Sequence, residues 1–246
     1  MGLEEVIPVK IMSQPDDFTC GPTSLHAVYS YYGDIIDLYD VIRGISYLED
    51  GGTLAVHLGT HALQRGYNAK IYTYDMDLFD PTWYSFENSA LIEKLTVQKK
   101  YKDNKKLLHS ADAYIDFLSS GGKLAFENLV SSILRKYFQR NVPILAGLSS
   151  TYLYQCQREY ATSKKRTKYD DVKGFAAGHF VVLCGYDDDK HHIIVADPYT
   201  KNPLSGNNYY SVEVARLINA ILLGIMTYDA NVLIIEPKKG QQKKNE

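Results

Sequence analysis

Two short motifs, one near each end of the chain, constrain its fold more than composition does. Near the start, Gln14-Pro15-Asp16-Asp17-Phe18-Thr19-Cys20-Gly21-Pro22-Thr23 sets a glutamine ahead of a cysteine. Far downstream, Gly178-His179-Phe180-Val181-Val182-Leu183 opens an apolar run, and Ala196-Asp197-Pro198-Tyr199 closes the next one. Cysteine, histidine, aspartate and glutamine are the side chains a thiol hydrolase uses. The thiol attacks a carbonyl, the imidazole carries its proton, the carboxylate orients the imidazole, and the amide holds the oxyanion. A fold that uses them together must bring the start of an N-terminal helix onto strands made much later.

Local pattern supports that geometry. Leu25, Val28, Tyr29 and Tyr32 fall on one helical face after Cys20, Pro22 suits the first turn, and Gly33 ends it. Cys20 thus begins a helix, where unpaired N–H groups and the macrodipole favour an anion. In the strand after Gly178, His179 shares a face with Val181 and Leu183, while Cys184 points the other way and is a poor rival nucleophile. In the following strand, Ile193, Val195 and Asp197 share parity, so Asp197 emerges at the strand end near His179, and Pro198 stiffens the exit.

Between the motifs, the sequence predicts helices over 38–45, 53–65, 89–95 and 111–118, a strand over 69–74, and a long helix over 122–140 carrying Phe126, Leu129, Val130, Ile133, Leu134 and Tyr137. A strand over 143–148 follows. Residues 149–177, polar and rich in Tyr, Lys and Gly, read as a long loop that could close over a cleft as a flap. Strands over 180–186 and 191–196, a helix over 212–223 and a strand over 231–235 complete the chain. No repeat or linker divides it. The expectation is a single α+β domain over 1–237, with an insertion at about 75–177 and a disordered tail over 238–246.

The chain has 246 residues, enough for a sizeable core, and a formal charge of -2 from 27 basic and 29 acidic residues. That near-balance gives no basic field for nucleic acid. Three cysteines at 20, 156 and 184 make neither a disulfide framework nor a Cys-x-x-Cys metal site, and their odd number suits a reducing compartment. His57 and His61 have the i, i+4 spacing of a helical zinc pair, but Leu58 stands where a zincin has glutamate, so they read as structural. His191-His192 face opposite ways on a strand, and Lys164-Lys165-Arg166 with Lys168 read as a solvated loop. Tyr152, Tyr154 and Tyr160 are candidates to line a substrate cleft. No metal or cofactor is expected. The acidic start Met1-Gly2-Leu3-Glu4-Glu5 lacks the regions of a signal peptide, Val6 breaks the myristoylation pattern, and the apolar stretch near Ala220-Ile221-Leu222-Leu223 is too short for a membrane span. A soluble, cytoplasmic protein is expected.

Together, Gln-x5-Cys-Gly-Pro-Thr, Gly-His-Phe-Val-Val-Leu-x-Gly-Tyr-Asp and Ala-Asp-Pro-Tyr resemble the bacteriocin-processing (double-glycine leader) cysteine peptidases and their stand-alone relatives, within the papain-like group. The resemblance implies a papain-like α+β fold, with a helical part carrying the cysteine packed on an antiparallel sheet carrying histidine and aspartate. It makes Cys20 the nucleophile, His179 the base, Asp197 the orienting acid and Gln14 the oxyanion residue. The implied activity is cleavage of a peptide or isopeptide bond in a peptide or protein substrate. Acyl or peptidyl transfer on the same residues, and a non-catalytic peptide-binding module on the same scaffold, are the alternatives. Such modules typically lose the cysteine, and this chain keeps it.

Overall fold

The computed structural model describes residues 4–48, 51–163, 166–227 and 230–238. The chain opens with β1 (Glu4–Val6), then α1 (Cys20–Tyr31), α2 (Leu38–Gly44), α3 (Ala55–Gln64) and β2 (Tyr67–Thr73). The middle holds α4 (Asn88–Gln98), α5 (Lys105–Ser119), β3 (Lys123–Ala125), α6 (Ser131–Phe138), β4 (Ile144–Ser149), α7 (Ser150–Tyr154), β5 (Glu159–Ser163) and β6 (Arg166–Tyr169). Last come β7 (Gly178–Asp187), β8 (His192–Ala196), β9 (Tyr209–Glu213), α8 (Val214–Leu223) and β10 (Asn231–Pro237).

Among the described residues the main sheet has eight strands, ordered β3-β2-β10-β4-β7-β8-β9, with β1 also on β7. Every pairing is antiparallel except β2 with β3. Helices cover the central strands: α1 and α6 pack on β7, α3 on β2 and β10, and α8 on β4 and β8. That cover explains why β4 is buried along its whole length and why β7 is a continuous apolar run rather than an alternating one. The protein is an α+β fold in which a helix starting at Cys20 lies on an antiparallel sheet bearing His179.

Two expectations fail, for separate reasons. The long helix over 122–140 is instead β3, an irregular stretch and the short α6. Gly121 holds a left-handed φ of 89°, and a side chain at Gly122 would run into the Phe117 ring, so the chain must turn there rather than start a helix. Lys123–Ala125 then completes the edge of β2, and Phe126 stacks on Tyr84 and meets the edge of Phe79. The aromatic period was real, but sheet pairing and ring stacking, not a helical face, satisfy its first half. The loop over 149–177 is also structured. It begins with α7 and continues as the β5–β6 hairpin, whose base is tied by the Glu159–Phe175 bridge. Gly174 belongs to that arm because an added Cβ would lie 2.4 Å from Asp170 O and 2.5 Å from the Arg158 carbonyl carbon.

Within the stretch 75–177, β3 and β4 are strands of the main sheet, so that stretch is woven into the frame. β1 and β9 were not expected from sequence. Residues 239–246, most of the expected disordered tail, and Lys164 and Lys165 lie outside the described residues.

Candidate active site

α1 begins abruptly at Cys20. Thr19 precedes it without capping the helix by its side chain, while its hydroxyl donates to Asp16 O and accepts from Asp16 N, folding the preceding loop back on itself. One turn on, Ser24 Oγ donates to the Phe180 carbonyl at 3.1 Å. Residues four apart share a helical face, so this bond seats the Cys20 face against β7 beside His179. Gly21 is required by the same contact: a Cβ there would lie 2.7 Å from Thr53 Cγ2 and 3.2 Å from Phe180.

Strand register brings the other two groups together. Val182 pairs with Ala196, so the next step sets Asp197 opposite Val181 and diagonal to His179 on the same face. A bulge at Cys184 follows this stretch and leaves its parity intact. His179 Nε2 lies 2.8 Å from Asp197 Oδ1. Cys20 lies near enough to the imidazole to raise its proton affinity. All three side chains are buried, Asp197 completely.

The carboxylate is fully engaged. Oδ1 also accepts from the Tyr199 backbone N–H at 2.8 Å, and Oδ2 accepts from the Tyr154 hydroxyl at 2.6 Å and the Tyr210 hydroxyl at 2.8 Å. The strand exit is pinned as well: Asp197 N donates to Asn208 O, and Asn208 Nδ2 donates to Asp197 O. Burial opposes charge on both members of the pair, but the partner outweighs it in each. The Asp197 charge, then Cys20, with the hydrogen bond to Asp197, raises His179 from 6.5 to about 10. His179, then Tyr154 and the Tyr199 amide, hold the Asp197 carboxyl below its ordinary value. By contrast, burial pushes Cys184 up to about 12, and burial with Glu159 nearby raises Cys156.

Gln14 sits across a cleft of about 360 Å³, which it lines with His179, Tyr154, Tyr199 and, from the hairpin arm, Glu159, Thr167, Lys168 and Tyr169. Its backbone N–H donates to Pro198 O at 2.9 Å, so the loop before Cys20 is fastened to the residue after Asp197. Its side-chain Nε2 donates to Asp16 O at 2.7 Å, and its Oε1 is buried without a partner among the described residues. The arm reaches the same loop, with the Thr167 amide donating to Asp17 Oδ2 at 3.2 Å.

Of the sequence candidates, His179 and Asp197 are hydrogen-bonded, Cys20 lies near the imidazole, and Gln14 lines the same cleft as His179. Tyr154, expected at the cleft, lines it and also donates to the carboxylate. Sequence reading missed Tyr210 because β9 went unrecognised, though Tyr210 and Val212 alternate as strand residues do. His61 hydrogen-bonds the Tyr29 hydroxyl and His57 the imidazole of His109, and no cluster of three metal-ligating side chains exists among the described residues. No helix among them is long and apolar enough to cross a membrane.

This is the arrangement of a cysteine peptidase-like hydrolase. The chain belongs to the Peptidase_C39 like family, whose profile matches residues 6–219. No curated protein matches it significantly. Among solved structures it is similar to one described as a C39-like peptidase from Bacillus anthracis, at 13% identity and TM-score 0.48 over 96% of this chain and 98% of that one. The peptidase domain of Streptococcus ComA, a bi-functional ABC transporter, matches at 12% identity and TM-score 0.43 over 94% and 99%. A double glycine motif protease from an AMS/PCAT transporter, solved with its leader peptide, matches at 16% identity and TM-score 0.43 over 96% and 99%.

Proposed function

We propose that Cys20, His179 and Asp197 cleave a peptide bond through a thioester, with Gln14 as oxyanion donor. His179 takes the thiol proton and the sulfur adds to the scissile carbonyl carbon. The resulting oxyanion is held by the Gln14 Nε2–H and the Cys20 backbone N–H. His179 then gives its proton to the departing amine, the C–N bond breaks, and an acyl-Cys20 thioester remains. Water attacks that thioester, His179 accepts the water proton, the acid leaves, and the sulfur is restored. The observation carrying this reading is the position of His179, hydrogen-bonded to Asp197 through Nε2 and near enough to Cys20 to be made more basic by it. The substrate reading is a peptide, in keeping with the family and with a cleft lined by Gln14, Thr200 and residues of the arm. One domain over 1–237 accommodates this, since β10 lies between β2 and β4 and β1 lies on β7. Three free thiols suit a reducing compartment such as the cytoplasm.

The test is alkylation with iodoacetamide at pH 6, followed by a peptide library. One equivalent should enter, at Cys20, and abolish cleavage. Cys20→Ala should lower turnover by about 10⁴-fold or more. Cleavage that persists in Cys20→Ala would overturn the assignment.

A further inference from the structure

Orienting an imidazole takes one carboxylate oxygen, and Oδ1 of Asp197 does it. Oδ2 faces away from His179 and still receives two phenol hydroxyls, Tyr154 from the end of α7 and Tyr210 from β9. These two elements are far apart in sequence, and each brings a tyrosine to the same oxygen, Tyr154 buried and Tyr210 half-buried. Burial, then the Asp197 charge, raises both phenols well above their ordinary value, so they stay neutral donors at any working pH.

The need for them arises within the catalytic cycle. While His179 is an imidazolium, Asp197 has a cation beside it. Once the proton has gone to the leaving amine, Asp197 is a buried anion facing a neutral ring, and an unpaired buried charge is strongly disfavoured. Donors on Oδ2 stabilise that state more than the ion pair, because hydrogen bonds count most on the anion that has no other compensation. They therefore weaken the hold of Asp197 on the imidazolium proton and make its release easier.

Resting on the site assignment above, the geometry points to Tyr154 and Tyr210 as positioning residues that let His179 act as an acid, by sharing the Asp197 charge when the imidazole is neutral. The titratable and charged groups around the carboxylate are His179 on β7, Tyr154 on α7 and Tyr210 on β9, with Cys20 on α1 beyond the ring and Arg216 of α8 behind Tyr210. None of them duplicates a hydroxyl on Oδ2.

Tyr154→Phe and Tyr210→Phe remove only the hydroxyls, and they would be made singly and together. In ¹⁵N-histidine-labelled protein, the His179 ring shifts are followed from neutral to strongly alkaline pH. The titration midpoint should move up, by about one pH unit in the double variant. An unmoved or lowered midpoint in folded variants would overturn the role, and either single variant suffices if the other fails to fold. Asp197→Asn in the same experiment should lower the midpoint. If it does so while the phenylalanine variants leave it unmoved, the phenols fail and the site assignment stands. If Asp197→Asn also leaves it unmoved, the pairing itself fails and takes the phenol role with it.

Discussion

The two walls of the cleft are finished to different degrees. On the sheet side, Asp197 has both oxygens doubly occupied, and its backbone is clamped to Asn208. On the loop side, Gln14 is fixed through its main chain to Pro198, but its side chain has one N–H on Asp16 O and an Oε1 with no partner among the described residues. Such a half-satisfied buried amide costs stability, whereas the saturated carboxylate does not. On the proposed reading, the base is therefore held in place before a substrate arrives. On the same reading, the second amide hydrogen of Gln14 is the one left to meet a carbonyl oxygen.

The sheet wall breaks hardest at Asp197→Asn, which keeps the shape and leaves His179 without its anionic partner. Turnover should fall by about 10⁴-fold, read as kcat on the best library peptide. A loss under tenfold would mean that the sheet wall is packing alone. The loop wall should behave differently. Gln14→Ala should lower kcat by about 10²–10³-fold while leaving the rate of Cys20 alkylation unchanged, because oxyanion stabilisation acts only after attack. Equal loss of both would show that Gln14 holds the loop instead. The arm sits between the walls, and Gly174→Ala forces it away from the Arg158 and Asp170 backbones. Peptide kcat/KM should fall roughly tenfold with alkylation intact, and an unchanged kcat/KM would detach the arm from the site.

The smallest effect concerns the fold itself. His179 binds its proton more tightly when folded, with a value of about 10 against 6.5, so the pair stabilises the protein fully below pH 6.5. That stabilisation fades as pH climbs toward about 10. The melting temperature should drop by a few degrees across this window, and His179→Gln should flatten the drop. An equal drop in His179→Gln would assign it to other groups.

How much of this was legible depended on the distance over which each residue is decided. Cys20 at a helix start follows from Pro22, the Leu25–Tyr29 face and Gly33 within a few turns, and the His179–Asp197 pairing follows from strand parity. The 122–140 stretch was misread because Phe126 is decided by Tyr84 and Phe79, rings that no local window contains. Tyr210 was invisible for the same reason, since its meaning lies in a carboxylate one strand away. The β5–β6 arm hid behind polar residues that form a two-stranded sheet with little core of its own.

The place of β10 has a consequence for how the molecule comes into being. Residues 231–237 lie between β2 and β4, so a ribosome that has already delivered Cys20, His179 and Asp197 has not yet supplied the strand that joins the two halves of the sheet. Until that segment clears the exit tunnel, β4 has a free edge and β2 lacks its larger neighbour, and the β4–β7 pair that carries His179 rests on half a sheet. The nascent chain thus carries all three proposed site residues before it can assemble the sheet that aligns them. The sheet beneath His179 therefore closes only once residues 231–237 have left the tunnel.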